Sequence, residues 1–236
     1  MSNAKKNTHK SHREHYLLKN DAPAMEAYRV LRTNIEFSGS VSKTQTIMLT
    51  SSVSQEGKST TACNLAKVFA YAGTKTLLLD LDLRRPVLHR FFHYDNTIGI
   101  MDYFLGKNSL EDAIKPTDVE HLFLLNVGTV PPNPAEVLVS AQFAGIINEL
   151  REIFDIIIID TPPVAALTDA AICSRFSDAT LMIVSSDKTN MDDLDIAVRN
   201  LQTAGANILG FVMNNVSKRT RGYKHYSYYY KYYKYY

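Results

Sequence analysis

A short stretch of the chain, Gly57-Lys58-Ser59, carries the chemical groups that hold a chain of phosphates. It follows an apolar run at residues 46–50 that predicts a strand, and it precedes a helical pattern at residues 61–70. In a loop between a strand and a helix, backbone N–H groups form an anion-binding nest, and the helix adds its positive dipole end. Lys58 would place a positive charge on the terminal phosphates, and the Ser59 hydroxyl would bind Mg²⁺. The residues predicted to bind a nucleotide are Gln55, Glu56, Gly57, Lys58, Ser59 and Thr60.

Acidic residues follow two further apolar runs that predict buried strands. Asp80 and Asp82 follow the run at residues 75–79, and Asp160 ends the isoleucine run at residues 156–159. Parallel sheets bind their ligands at the carboxyl ends of their strands. Near a phosphate chain these carboxylates could hold Mg²⁺, and Asp80 or Asp82 could accept the proton of an attacking hydroxyl. The predicted metal ligands are Ser59, Asp80, Asp82 and Asp160, and the predicted catalytic residues are Lys58, Asp80, Asp82 and Asp160.

The C-terminal segment, residues 216–236, has a composition of its own and is called the tyrosine tail below. It holds nine tyrosines, six Lys or Arg residues and no acidic residue, so the rest of the chain has four more acidic than basic residues. Such a low-complexity segment has little to bury and is expected to be disordered. We interpret its tyrosines as phosphate acceptors. They are Tyr223, Tyr226, Tyr228, Tyr229, Tyr230, Tyr232, Tyr233, Tyr235 and Tyr236.

The elements that must position these groups alternate between strand and helix along a chain of 236 residues. This alternation predicts an α/β fold, with one doubly wound, mostly parallel sheet of the P-loop NTPase type. Residues 91–116 are predicted to form short helices. The predicted domains are a mobile arm at residues 1–20, a nucleotide-binding domain at residues 21–215 and the tyrosine tail at residues 216–236.

Composition narrows the classes of function. No apolar run approaches the roughly 18 residues that a membrane span needs, and the polar N-terminus lacks the apolar core of a signal peptide. Cys63 and Cys173 lie in apolar helical contexts, which indicates reduced packing residues rather than a disulfide or a metal site. The sequence therefore predicts a cytoplasmic protein.

A predicted helix near the N-terminus carries charged residues three apart, Glu26, Arg29 and Arg32. Residues at this spacing share one face of a helix. Such a face is usually solvated, but these residues could also pair across a subunit interface.

The chain resembles the bacterial protein-tyrosine kinases of the capsular and exopolysaccharide autokinase family, in the form of the separate cytoplasmic catalytic polypeptide of Gram-positive bacteria. The resemblance runs from about residue 26 to the C-terminus, and Ser52 stands where the phosphate loop of the pattern has its first glycine. The motifs that carry it are Glu26-x-x-Arg29-x-x-Arg32, the Walker A residues Gly57-Lys58-Ser59-Thr60, Asp80-x-Asp82-x-Arg84-Arg85-Pro86, Pro131-Pro132-Asn133-Pro134, the Walker B stretch ending Asp160-Thr161-Pro162-Pro163, and the terminal tyrosines.

This resemblance implies Mg²⁺-ATP-dependent phosphorylation of tyrosines, chiefly in the tail of a neighbouring subunit. It also implies a ring-shaped homo-oligomer held by Glu26, Arg29 and Arg32. A membrane adaptor polypeptide of the polysaccharide chain-length type would recruit the kinase to the inner face of the membrane. The expected role is regulation of capsular or exopolysaccharide synthesis and export, with further protein substrates in that process and no nucleic-acid partner.

Three alternatives remain at this stage. A nucleotide-switched positioning ATPase of the partition or septum-site type would share the fold, but its signature lysine is replaced here by Val53, and it has no tyrosine tail. A nucleic-acid binder could stack bases on the basic aromatic tail. The phosphate loop could be only a serine-rich turn, and Asp160 could only cap the turn after its strand.

Overall fold

The computed structural model describes residues 22–38 and 44–216. The predicted arm at residues 1–20 and all the tyrosines of the tail lie outside the described residues. Among the helices that are described, none combines the length and the apolar character that crossing a bilayer requires.

Seven strands form one sheet in the order β3-β4-β2-β5-β1-β6-β7. All neighbouring strands are parallel except β3, which pairs antiparallel with β4. The strands are β1 (Thr46–Ser51), β2 (Thr76–Asp80), β3 (Ile114–Pro116), β4 (Leu122–Leu125), β5 (Ile156–Asp160), β6 (Ala179–Ser185) and β7 (Ile208–Asn214).

One helix precedes β1, and the other helices lie between strands in the sequence, as the alternating pattern predicts. They are α1 (Ala22–Ser38), α2 (Lys58–Ala70), α3 (Leu88–Phe91), α4 (Ile100–Phe104), α5 (Leu110–Ala113), α6 (Pro134–Val139), α7 (Ala141–Ile153), α8 (Asp169–Cys173) and α9 (Met191–Thr203). A short 3-10 helix, Ser174–Phe176, follows α8.

Two separate hydrophobic clusters cover the two faces of the sheet. Alternate residues of β5 belong to opposite clusters, with Ile157 in one and Ile158 in the other. The first cluster includes Phe143 of α7, and the second includes Leu65 of α2 and Met25 of α1. Because both faces are covered, strands made of continuous apolar runs are fully buried, as in parallel sheets generally. The predicted doubly wound α/β fold is confirmed.

One part of the predicted secondary structure is wrong. Residues 91–116 are not all helical, because Ile114–Pro116 forms the edge strand β3. Its three residues pair with Leu125, Leu124 and Phe123 of β4. So short a strand takes its structure from this pairing rather than from its own sequence, and a proline is tolerated because the strand lies at the edge of the sheet.

The sheet brings the predicted chemical groups to a single edge. The phosphate loop follows β1, and the three aspartates lie at the carboxyl ends of β2 and β5. These two strands are neighbours, and their register places Asp80 directly opposite Asp160. This edge carries the candidate site.

Candidate active site

The phosphate loop turns sharply at Gly57, which has a φ of 90° in the left-handed region. A side chain is excluded there for a second reason, because a Cβ atom on Gly57 would lie 2.6 Å from Nδ2 of Asn214. Gln55 also has a positive φ, of 66°. Glycine is therefore favoured at position 57 by its backbone conformation and because a Cβ atom would displace the Asn214 side chain. Helix α2 begins at the next residue, Lys58, so its N-terminus faces the loop.

Glu56 is fully buried and holds the loop from inside. Its carboxylate accepts hydrogen bonds from the Ser52 hydroxyl, at 3.0 and 3.1 Å, and from the backbone N–H of Val53, at 3.0 Å. It also accepts one from the hydroxyl of Thr189, in the segment after β6. Ser52, which departs from the usual glycine, therefore has a structural partner. Because the Glu56 side chain points inward, only its backbone could contribute to the predicted nucleotide site.

Asn214 is a loop-supporting residue that sequence reasoning missed. From the end of β7 its Nδ2 donates to the carbonyl of Glu56 and to Oγ1 of Thr61, both at 3.0 Å. The Thr61 hydroxyl in turn donates to the carbonyl of Gly57, at 2.9 Å. The strand that leads into the tyrosine tail is thus hydrogen-bonded directly to the phosphate loop.

Lys58 and Asp160 form a buried ion pair, with 2.6 Å between Nζ and Oδ1. Lys58 Nζ also lies 3.2 Å from the hydroxyl of Ser59. The second oxygen of Asp160, Oδ2, is buried and accepts no hydrogen bond from the described part of the chain. The structure therefore brings together three of the residues that the sequence predicts for the site.

Asp80 is fully buried beside them. Its Oδ1 accepts the backbone N–H of Asp82 at 3.1 Å, and its Oδ2 accepts those of Val87 at 3.0 Å and Leu88 at 3.1 Å. Burial raises the pKa of Asp80 to about 7, and the negative charge of Asp160 adds to the rise. The carboxyl group therefore fixes the shape of the loop that follows β2.

Asp82 lies in that loop and is 9% exposed. Its Oδ1 accepts the backbone N–H of Arg85 at 3.0 Å. Burial raises the pKa of Asp82 above its ordinary value, although the charge of Lys58 acts in the opposite direction. Asp82 thus belongs to the same charged group as Lys58 and Asp160.

An ion pair that the sequence did not predict ties this loop to α8. The Arg84 side chain donates through Nε and Nη2 to the two oxygens of Asp169, at 2.7 and 3.0 Å. Asp169, the first residue of α8, is fully buried. A two-bond contact between the planar guanidinium and a carboxylate fixes both groups in direction as well as distance.

The donor set fits Mg²⁺ bound together with phosphates. Among the described residues, no three His, Cys, Asp or Glu side chains converge as a ready metal site. Mg²⁺ at phosphate sites is usually held by only one or two protein groups, with phosphate and water oxygens around them. The Ser59 hydroxyl and the unpartnered Oδ2 of Asp160 could serve in this way. The raised pKa values of Asp80 and Asp82 reflect buried negative charge that a cation would offset.

The predicted oligomerisation residues on α1 have different surroundings. Glu26 and Arg29 form an exposed ion pair within the helix, at 3.0 Å. Arg32 instead donates to the carbonyl of Val68 in α2, at 3.1 Å, and lies 3.5 Å from Glu36. Only Glu26 and Arg29 are therefore largely open to a neighbouring subunit, while Arg32 also attaches α1 to its own domain.

The family model for the CobQ/CobB/MinD/ParA nucleotide-binding domain matches residues 47–234. The tyrosine-protein kinase YwqD of Bacillus subtilis is 42% identical over 189 residues, which are 80% of each chain. The putative tyrosine-protein kinase CapB of Staphylococcus aureus is 38% identical over 191 residues, covering 81% of this chain and 84% of CapB.

Solved structures of related proteins share the fold of this chain. The chimerical protein CapA2B2 matches with a TM-score of 0.83 at 36% identity, covering 86% of this chain and 91% of the other. The septum site-determining protein MinD of Pyrococcus horikoshii, complexed with Mg-ADP, matches with a TM-score of 0.62 at 25% identity, covering 75% of this chain and 72% of MinD.

Proposed function

Because the chain belongs to the bacterial tyrosine-protein kinases of capsule biosynthesis, we propose that it transfers the γ-phosphoryl group of ATP to the tyrosines of its own tail. The observation that carries this proposal is the convergence of the phosphate loop with Asp80, Asp82 and Asp160 at one edge of the sheet. In this proposal residues 21–215 are the kinase domain and residues 216–236 are the substrate segment.

The roles of the binding residues follow from their positions. Backbone N–H groups of residues 55–60 would surround the phosphates at the N-terminus of α2. Lys58 would leave Asp160 and place its ammonium group on the terminal phosphates. Ser59 and Asp160, with Asp80 and Asp82 nearby, would hold Mg²⁺, whose charge offsets that of the phosphate oxygens.

In the transfer step the tyrosine oxygen forms a bond to the γ-phosphorus, and the bond from that phosphorus to the bridging oxygen of ADP breaks. The tyrosine proton needs an acceptor. We assign this role to Asp82 rather than Asp80, because Asp80 is fully buried and its two oxygens already accept three backbone N–H groups. The rest of the rate enhancement would come from positioning and from charge stabilisation.

We propose that transfer occurs between subunits of a ring. The exposed Glu26–Arg29 pair on α1 is the surface that would meet the next subunit. A membrane adaptor would hold the ring at the cytoplasmic face of the membrane. The number of phosphorylated tyrosines in the tail would then regulate capsular or exopolysaccharide synthesis and export.

The charge of the tail supports delivery to a neighbour. The tail has six basic residues, and the rest of the chain is net acidic. The unmodified tail would therefore be attracted electrostatically to the next subunit. Each phosphate adds a charge of about −1.5 to −2, so roughly four phosphates cancel the positive charge of the tail. Phosphorylation should therefore release the tail and loosen the ring.

A mixing experiment tests the proposal. Inactive subunits with an intact tail, made by Asp82→Asn or Lys58→Met, are mixed with active subunits that end after residue 217, in Mg²⁺-ATP. Mass spectrometry should find phosphate on the tails of the inactive subunits, and light scattering should then show smaller particles. Transfer within one subunit is indicated instead if the mixture stays unlabelled while intact protein labels itself at high dilution. ATP hydrolysis without any phosphotyrosine in intact protein would point to a positioning ATPase.

A further inference from the structure

Arg84 lies two residues after Asp82 and carries a positive charge on the loop that bears the candidate metal ligands. Its guanidinium is bound by Asp169 of α8, to which it donates hydrogen bonds of 2.7 and 3.0 Å. The Arg84 side chain remains 40% exposed, whereas Asp169 is not exposed at all. One guanidinium thus belongs to the loop that carries Asp82 and is bound by a buried carboxylate on α8.

Arg84 responds electrostatically to both carboxylates. The hydrogen bonds that Arg84 donates to Asp169 are the main reason why the pKa of Arg84 is raised, and the negative charges of Asp169 and Asp82 add to the rise. Asp82 is also the residue that we propose as a ligand of Mg²⁺ and as the acceptor of the tyrosine proton. If Arg84 were released, Asp82 would be the nearest carboxylate on its own loop, and a guanidinium pairs strongly with a carboxylate.

The ion pair is not needed to place the backbone of this loop. Leu81 and Leu83, on either side of Asp82, are fully buried in the core. The Asp80 carboxylate holds the loop from within by accepting three of its backbone N–H groups. Loss of Asp169 would therefore free a cation rather than move Asp82.

We propose that Asp169 is a positioning residue that sequesters Arg84 and so keeps Asp82 available to Mg²⁺. The inference rests on the proposed function only for the assignment of Asp82 to the metal. It requires that Asp169 act through Arg84, so removing Arg84 should cancel the effect of removing Asp169. A purely structural ion pair would behave differently, because either loss alone would be as harmful as both together.

The test measures how the binding of a fluorescent ADP analogue to the full chain depends on Mg²⁺ concentration. Asp169→Asn should raise the Mg²⁺ concentration at half-maximal binding by about tenfold, the usual effect of losing a residue that supports metal ligands. The double variant Arg84→Met with Asp169→Asn should return to within about threefold of the wild type. The matched control, Arg85→Met with Asp169→Asn, removes an equal charge from the same loop and should not recover.

Three outcomes would overturn the proposal: an unchanged midpoint in Asp169→Asn, a double variant no better than Asp169→Asn, or equal recovery in the Arg85→Met control. Thermal unfolding of each variant checks that it is folded. If Asp169→Asn does not fold, Arg84→Lys provides a second test of the ion pair. This variant changes the partly exposed partner, and an ammonium group cannot make the two-bond contact with Asp169. Its midpoint should rise about threefold, and no rise would contradict the proposal.

The failure of the inference and the failure of the proposed function are separable. The binding assay involves no phosphoryl transfer, so the Mg²⁺ midpoints stand even if no phosphotyrosine forms. Conversely, the wild type could phosphorylate its tail while all the variants bind the ADP analogue with the same Mg²⁺ midpoint. That result would support the proposed kinase activity and reject the role of Asp169.

Discussion

Lys58 and Asp160 come from positions 102 residues apart and meet as a buried ion pair, with 2.6 Å between Nζ and Oδ1. The pair joins the phosphate loop to the end of the neighbouring strand β5. If Lys58 binds the phosphates as proposed, nucleotide binding exchanges Asp160 for a phosphate as the partner of Lys58.

Replacing Lys58 with Met should lower the rate of tyrosine phosphorylation by at least about 100-fold, because the variant lacks the positive charge that stabilises the transferring phosphoryl group. It should also lower the free energy of unfolding by about 3–5 kcal/mol, since Asp160 is left buried and unpaired. Adding Asp160→Asn should restore much of the stability but none of the activity. Urea unfolding and phosphotyrosine detection measure the two effects. Full activity in Lys58→Met would reject the site.

Asp82→Asn should lower the rate of transfer by about 100-fold or more, since the tyrosine proton loses its acceptor. Asp80→Asn should lower the rate by about tenfold or more because the loop after β2 is less well held, and Asp160→Asn should do so because Mg²⁺ is bound more weakly. Asp118→Asn, which changes an exposed aspartate between β3 and β4, is the matched control. Wild-type rates in all three site variants would mean that the metal is held elsewhere.

The contribution of Asp80 to the stability of the metal-free protein should fall as the pH rises from about 4 to about 7. The pKa of Asp80 is about 7 in the folded protein, against about 3.9 for an unfolded aspartate. Between these values the folded state binds more protons, so this contribution is complete below pH 4 and is lost through pH 7. The slope can reach about 1.4 kcal/mol per pH unit. Urea unfolding in EDTA should show a flatter profile for Asp80→Asn, and equal slopes would contradict the assignment.

Replacing Glu26 and Arg29 together with Ala should convert the assembly to smaller species without loss of stability, because the pair is exposed and its ion pair lies within α1. Arg32→Ala should in addition cost about 1 kcal/mol of stability, through its hydrogen bond to Val68. Light scattering measures the particle mass. The exposed Asp195–Arg199 pair on α9, replaced in the same way, is the control. Wild-type protein that stays monomeric at high concentration would count against the ring.

The strands, and the edge of the sheet that carries the candidate site, could be predicted because their signals are local. Each buried strand is a run of apolar residues, and the run at residues 156–159 ends at Asp160 where the ligand edge begins. The edge strand β3 escaped prediction, because three residues with a proline carry no strand signal of their own.

The supporting contacts could not be predicted, because their partners are far apart in the sequence. Asn214 reaches Glu56 across 158 positions, and Arg84 reaches Asp169 across 85. No spacing rule relates such residues; only the packing of β7 and α8 against the site brings them together. For the same reason, the inward direction of Glu56 and the attachment of Arg32 to α2 became visible only in the structure.

The buried carboxylate of Glu56 fixes the phosphate loop through Ser52 and Val53 within it and Thr189 outside it. The conformational entropy of these loop residues is therefore lost when the chain folds, not when a nucleotide binds. A preorganised loop leaves more of the interaction free energy to appear as affinity. Part of the phosphate affinity that we propose for this loop is thus already contained in the folding stability of the chain.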